Sequence, residues 1–184
     1  MREISLIESR SWCETRGIAV TSSGRPRFVE ELSAPMLGIK LEDAVSRRVS
    51  LIDHIMRYYD AANFNEALVA LTAWGMWNDD VGTTLYERLR TGYGLPASPI
   101  DSPGQFIFER GEFADCVAVF TFFSILSWDA YLIPSDARFI LNTSNDDILD
   151  VTIRVRSMSP LLQMLSQKWG GSIVHPAQGF DSEA

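Results

Sequence analysis

The spacing of apolar and polar positions changes near residue 130, and the two spacings predict different elements. Residues 112–128 are apolar on nearly every side, which is typical of a helix that is buried all round. Residues 148–156 alternate between apolar and polar, which is the period of a strand with one buried face. The positions expected to face the core are Leu149, Val151, Ile153 and Val155. We therefore predict a central apolar helix over about 112–128 that leads into a β-hairpin over about 130–155.

Helical spacing dominates the first two thirds of the chain. Apolar residues recur at intervals of three and four over 41–59, 64–77 and 81–91, which predicts three amphipathic helices. Asn63 is a suitable N-cap for the second of them. A last helix is predicted to begin at Ser159, where serine and the following proline are both favoured, and to end near residue 169.

The segments at the two ends have weaker patterns. Residues 1–33 indicate an arm of irregular or β-type structure, with short strands at 17–21 and 27–31. Residues 33–38 are predicted to be a connector, and 176–184 a frayed tail. A chain of 184 residues is the usual length of one globular domain, which we place at 1–184.

Together these elements predict an α+β fold. Helices fill the first two thirds and pack with a small antiparallel sheet, the hairpin, around the central apolar helix. A mostly helical bundle with one hairpin attached is a close variant of the same prediction.

Charge narrows the range of partners. The chain has a formal net charge of −8 and a pI near 4.7. A chain with this net charge repels the phosphate backbone of nucleic acids. Its basic runs at 25–27 and 47–48 are too short to form a basic stripe that could bind one. The apolar run at 113–128 contains Asp115 and is shorter than the ~20 residues of a membrane span. We expect neither nucleic acid nor membrane as a partner, and the acidity suits either solubility or a basic protein.

The cysteines favour a cytoplasmic protein. Cys13 and Cys116 are the only two, with no CxxC pair, so no disulfide framework is expected. Neither His54 nor His175 has a histidine or cysteine at metal-ligand spacing. We therefore expect no metal and no cofactor.

Candidate catalytic patterns are few and have simpler explanations. Gly92 and Gly94 follow a helix instead of opening one, so they are wrongly placed for a phosphate loop. The pair Asp79 and Asp80 is explained by the N-terminus of a helix. Enzymatic activity stays uncertain, and the sequence favours a protein that is not an enzyme.

The end of the predicted hairpin is the candidate binding surface. Its turn is rich in side chains that accept hydrogen bonds, and such a tip could dock on arginines or lysines of a partner. The candidate partner-binding residues are Asp129, Asp136, Asn142, Asn145, Asp146, Asp147 and Asp150. A solvated turn with no function is the competing interpretation.

Three functions stay open at this point. The first is a non-enzymatic acidic cytoplasmic protein that binds and inhibits a protein partner, in the manner of immunity proteins that neutralise basic toxins. This likeness is one of composition, and no motif identifies such a family. The second is a small-molecule binder or an enzyme of unfamiliar type with a pocket lined by Trp74, Trp77 and Trp128. The third is a structural or assembly subunit that forms oligomers through residues 1–33.

Overall fold

Alternating strands and helices make up the chain from its first residues to its last described ones. The computed structural model describes residues 1–22, 24–29, 35–59, 64–73, 80–96, 104–154 and 159–174. The strands are β1 (Arg2–Ile4), β2 (Ile18–Val20), β3 (Pro26–Phe28), β4 (Met36–Lys40), β5 (Glu66–Ala73), β6 (Gln105–Glu109), β7 (Asp129–Pro134), β8 (Phe139–Thr143), β9 (Ile148–Ile153) and β10 (Ser172–Val174). The helices are α1 (Leu6–Glu14), α2 (Val45–Tyr59), α3 (Asp80–Gly92), α4 (Phe113–Ile125) and α5 (Ser159–Trp169).

One large antiparallel sheet organises the molecule. Its eight strands follow the order β1-β6-β5-β7-β8-β9-β4-β10, and β2 and β3 form a separate antiparallel pair. The middle of the sheet is the consecutive run β7, β8 and β9, while β4 from early in the chain lies between β9 and β10. The predicted hairpin is therefore part of a much wider sheet.

The helices α2, α4 and α5 pack on one face of the sheet, which we call the helix face. The main core lies between them and includes Phe120 and Phe123 of α4 together with Phe106, Leu132 and Val151 of the strands. Helix α4 packs on β5, β6 and β7 and also on α2. It is not buried all round as expected, because Ala114 and Ala118 are exposed, and these small apolar residues leave its sequence without a polar stripe.

The opposite face, which we call the second face, is covered over only part of its width. Helix α1 and the β2–β3 pair pack on it and enclose a smaller core. That core contains Ile4, Cys13, Leu68, Ile133 and Ile140, which places it over the strands from β1 to β8 in sheet order. The second-face residues of β9, β4 and β10 belong to neither core and are half-exposed or exposed.

The predicted fold class is wrong in its balance of helix and strand. Strand content is about equal to helix content, and the sheet has eight strands where we expected a small one. The largest single error is the helix predicted over 64–77, because residues 66–73 form β5, an interior strand of the sheet. Leu68 and Ala70 face the smaller core, while Val69 and Leu71 face the main core. A strand buried on both faces is continuously apolar, so its residues also fit helical spacing.

Two elements near the N-terminus also differ from the predictions. The arm predicted to be irregular or β-type contains helix α1, which begins with a capping box between Ser5 and Glu8. The expected connector at 33–38 overlaps β4, which pairs with β9 from Met36 opposite Thr152 to Lys40 opposite Ile148. The described part of the arm packs on the chain's own sheet through α1, β1 and the β2–β3 pair.

The remaining elements agree with the sequence in type and approximate position. Helices α2, α3, α4 and α5, the strands β2 and β3, and the strands β7, β8 and β9 of the hairpin region occur where the sequence predicts them. Leu149, Val151 and Ile153 are buried as expected, and Val155 lies outside the described residues. The expected frayed tail at 176–184 also lies outside them.

Candidate functional site

The turn between β8 and β9 is a defined structure that displays two of the candidate side chains. The backbone N–H of Asp147 donates to the carbonyl of Ser144 at 3.2 Å, which closes the turn. Asn145 and Asp146 between them are exposed. Asp147 adopts a left-handed φ of 56°, which aspartate tolerates better than most residues. The turn therefore presents Asn145 and Asp146 to solvent from a closed backbone.

Asp129 joins this turn from the neighbouring strand. It begins β7, and one of its carboxylate oxygens accepts a hydrogen bond from the backbone N–H of Asn145 at 2.9 Å. This bond fixes the turn against β7 and places Asp129 beside the tip.

Asp147 points inward. Its Oδ1 accepts hydrogen bonds from the Ser127 hydroxyl at 2.6 Å and from the buried Arg48 guanidinium at 2.9 Å. These two donors, the Ser127 hydroxyl first, hold the pKa of Asp147 below its ordinary range. Since its carboxylate is already engaged, Asp147 supports the turn and is poorly placed to bind a partner.

Asp136 does not lie at the tip. It sits in the turn between β7 and β8, at the opposite end of β8 from residues 144–147. Its carboxylate pairs with Arg138 at 2.9 Å. Five strand residues span roughly 16 Å, so the sheet separates Asp136 from the other candidates.

Asp150 and Asn142 lie in a row of side chains that crosses the second face. The strand registers place one residue from each strand in this row. In sheet order it consists of Ile4, Gln105, Ala70, Tyr131, Asn142, Asp150, Gly38 and Ser172. The sequence identified Asn142 and Asp150 but missed Tyr131 and Gln105, because strand register depends on pairings that one chain does not display.

The carboxyl group of Asp150 is held in a partly desolvated position. Asn142 donates to it from Nδ2 at 3.5 Å, and the missing side chain of Gly38 leaves room for it, since a Cβ there would lie 3.2 Å from its Oδ1. Burial raises the pKa of Asp150, while Asn142 and the charge of Arg25 oppose that shift. Burial likewise raises the pKa of Tyr131 to about 12. Asp150 has no ion pair within the part of the chain that the structure describes.

We call the surface formed by Asp129, Asn142, Asn145, Asp146 and Asp150 the acidic ledge. It occupies the second face and the end of the sheet beside the β2–β3 pair, whose turn carries Arg25. Arg25 exerts a charge on Asp150, and Lys40 exerts one on Asp147. Neither cation forms an ion pair with a carboxylate of the described residues.

Trp128, one of the three residues of the predicted tryptophan pocket, lies in the main core. Trp128 is 2% exposed and packs against the rings of Tyr86, Phe122 and Phe123, with centroids 5.8–6.0 Å apart. Trp74 and Trp77 lie outside the described residues.

A cleft that the sequence did not predict lies on the second face. It has a volume of about 350 Å³ and is bounded by α1, the β2–β3 pair and the strands β5 and β6. Buried Ser9 and Gln105 are hydrogen-bonded to each other beside it, at 3.0 Å. A signal was present in the sequence, since Ser5 and Glu8 at capping-box spacing predict the helix that forms one wall.

Reactive and metal-ligating groups offer little further chemistry. Both cysteines are free and buried, and burial raises the pKa of the Cys13 thiol to about 11 and that of Cys116 further. His54 contacts the sulfur of Met164 at 3.3 Å. Among the described residues, histidine, cysteine and carboxylate side chains form no group that could hold a metal ion. None of the helices in the same part of the chain has the length and apolar character needed to cross a bilayer.

Comparisons with protein-family models, with curated proteins and with solved structures found no match for this chain.

Proposed function

We propose that this chain is a non-enzymatic, cytoplasmic protein-binding module that holds a basic segment of a partner on the acidic ledge and thereby inhibits that partner. The observation that carries the proposal is the placement of Asp129, Asp146 and Asp150. These carboxylates share one surface, and none of them has an ion pair within the described residues.

Asp150 supplies the chemical reason for a cationic partner. A partly buried carboxylate that forms no ion pair is destabilised, and burial raises the pKa of Asp150 even though the charge of Arg25 opposes that shift. An arginine or lysine from a partner would replace the lost hydration and lower that pKa. Binding would then release a proton from the fraction of Asp150 that is protonated, so affinity rises with pH through the titration of Asp150.

The geometry of the ledge suits recognition of a preformed surface. The turn at 144–147 is closed by its own hydrogen bonds and fixed by Asp129 and Arg48, so little ordering is required on binding. The net charge of −8 adds attraction at long range, which speeds the encounter with a basic protein at low salt.

The experiment is affinity capture from native cells with a ledge variant and a charge-matched control. The ledge variant carries Asp129→Asn, Asp146→Asn and Asp150→Asn, and asparagine at 129 keeps the acceptor for the turn. The control changes three exposed glutamates on α1, α3 and β6, with the substitutions Glu14→Gln, Glu87→Gln and Glu109→Gln.

We expect the unmodified chain and the control to recover the same basic protein, and the ledge variant to bind it roughly 10- to 100-fold more weakly. That range corresponds to three ion pairs of up to about 1 kcal/mol each. Equal binding by all three proteins would refute a role for the ledge. Equal loss in both variants would show that net charge alone attracts the partner and would also refute the proposed site.

A further inference from the structure

The cleft on the second face has two walls and a floor, which are made by different parts of the chain. Helix α1 contributes Leu6, Ser9, Arg10 and Cys13, and the β2–β3 pair contributes Val20 and Pro26. The floor is the sheet, where Leu68, Ala70, Gln105 and Ile133 line it. Its volume of about 350 Å³ falls at the lower end of the range for small-molecule sites, which is about 300–1,000 Å³.

The small side chain of Ala70 helps to keep the cleft open. Ala70 stands between Gln105 and Tyr131 in the row that crosses the second face. Its neighbours along β5 on the same face are Leu68 and Thr72, both of which line the cleft. The base of the cleft is therefore apolar, with Leu68, Ile133 and Cys13 each about 1% exposed, while its rim is polar.

One buried polar pair interrupts this apolar surface. Gln105 accepts a hydrogen bond from the Ser9 hydroxyl at 3.0 Å and donates one from Nε2 to the carbonyl of Leu71 at 3.1 Å. Ser9 and Gln105 are 5% and 6% exposed. The Ser9 oxygen and the second Nε2 hydrogen still have unused capacity, so the pair can orient one polar atom of a ligand.

The charges at the mouth favour an anion. Arg10 is exposed, and the described part of the chain gives it no ion pair. Glu3 also lines the cleft, but both of its carboxylate oxygens bind the buried guanidinium of Arg90, with Oε2 at 2.7 Å from one nitrogen. Glu3 and Arg10 are the charged residues among those that line the cleft, and because Arg90 neutralises Glu3, the uncompensated charge in the lining is that of Arg10.

We propose that this cleft is a binding site for a compact monocarboxylate with an apolar body, such as a single ring on a short chain. The apolar body lies against Leu68, Ala70 and Ile133, and the carboxylate lies at the mouth beside Arg10. A volume of about 350 Å³ equals that of about a dozen water molecules at roughly 30 Å³ each, so a ligand of that many non-hydrogen atoms fits. This site is separate from the acidic ledge and does not depend on its function.

The test uses two probes of the same shape that differ in charge, 3-phenylpropionate and 3-phenylpropionamide. Binding is followed by two-dimensional amide NMR, with the backbone signals of α1 and β5 and the indole signal of Trp12 as reporters. For ligands of this size we expect a dissociation constant on the order of 1 mM for the carboxylate and about tenfold weaker binding of the amide.

Two variants separate the roles of charge and shape. Arg10→Gln should weaken binding of the carboxylate about tenfold, the loss of one hydrogen bond to a charged group, and leave binding of the amide unchanged. Arg88→Gln on α3 has the same change in net charge on an exposed residue away from the cleft and should change neither. Ala70→Leu should fill the floor and abolish binding of both probes, while circular dichroism shows that the fold is kept.

The outcomes are decisive even if Ala70→Leu does not fold, because Arg10→Gln alters only the surface. Signal changes confined to the cleft, with the carboxylate preferred and that preference lost in Arg10→Gln, support the proposal. No change at the cleft with either probe at ~10 mM overturns it. Equal binding of both probes, or equal effects of Arg10→Gln and Arg88→Gln, overturns the assignment to a carboxylate.

Discussion

Replacing Arg48 by methionine should destabilise the protein far more than the same change at its neighbour Arg47. The Arg48 guanidinium donates three hydrogen bonds, to the carbonyl of Glu42 at 2.8 Å, to the carbonyl of Ser124 at 2.6 Å and to Asp147 at 2.9 Å. It thereby ties the start of α2 to the end of α4 and to the turn between β8 and β9. Methionine keeps much of the volume of the apolar stem, so the change mainly removes the polar head.

The magnitude follows from the burial of the two partners. Breaking a fully buried ion pair costs about 3–5 kcal/mol. The side chain of Arg48 is only 6% exposed, but that of Asp147 is 36% exposed and can be hydrated again, so we reduce the estimate to about 2–3 kcal/mol. For a domain of this length, 1 kcal/mol shifts Tm by about 2–4 °C, so Arg48→Met should lower Tm by roughly 4–12 °C.

Arg47 provides the matched control, because it pairs with Glu42 at 2.7 Å on the surface. Both side chains of that pair are more than half exposed, at 53% and 55%. Arg47→Met should therefore change the free energy of unfolding by no more than about 0.5 kcal/mol. Urea unfolding followed by circular dichroism measures both variants. If Arg48→Met costs no more than Arg47→Met, the assignment of Arg48 as the link between α2, α4 and the turn is wrong.

The contact between Arg48 and Asp147 predicts how the free energy of unfolding changes at low pH. The pKa of Asp147 is lowered in the folded state, so its contribution is fully present above the ordinary value of 3.8 and is lost as pH falls through the folded pKa. The difference in unfolding free energy between the unmodified protein and Asp147→Asn should be constant near neutral pH and shrink below about pH 3.8. A difference that grows on acidification would contradict the interaction with Ser127 and Arg48.

Three further outcomes test other parts of the structure. Gly104→Ala should destabilise the fold by several kcal/mol, since its Cβ would lie 2.2 Å from the Tyr86 hydroxyl. In the same urea assay, Gly92→Ala should be neutral or mildly stabilising, because Gly92 ends α3 and a Cβ there would meet no other atom. Asp150→Asn should raise Tm at neutral pH, because burial raises the pKa of Asp150 and so favours a neutral side chain at this position. The gain in Tm should vanish below about pH 3.8, where Asp150 is protonated in both the folded and the unfolded chain. Cys13 and Cys116 should react with a thiol reagent far more slowly in the native protein than in denaturant, and rapid native labelling of either would contradict their burial.

The sequence predicted β9 and missed β5, and the two strands differ in how their faces are covered. Strand β9 has one buried and one half-exposed face, so its alternation identified both the strand and its inward residues. Strand β5 is covered by α4 on one side and by α1 and the β2–β3 pair on the other, so nothing in its apolar run marks it as a strand. The error in the fold class follows from that interior strand together with β4, which was expected to be a connector.

The candidate site shows the same limit. Local turn chemistry predicted that Asn145 and Asp146 lie in one turn, whereas the contact of Asp129 with Asn145 depends on the pairing of β7 with β8. The inward direction of Asp147 depends on Arg48, which is remote in sequence, and the separation of Asp136 depends on the length of β8 between two turns. The cleft beneath α1 depends on Ser9 meeting Gln105 across almost a hundred residues, a contact that no local pattern reports.

The insertion of β4 between β9 and β10 has a consequence for synthesis on the ribosome. Met36 pairs with Thr152, so an early strand must wait for more than a hundred further residues before its partner has been translated. Non-local pairing of this kind slows folding, and an unpaired strand is a template for aggregation until its partner arrives. The run β7, β8 and β9 needs only short loops and can form first. A nascent chain that stops before residue 148 should therefore depend on chaperones, and one that extends past residue 174 should not.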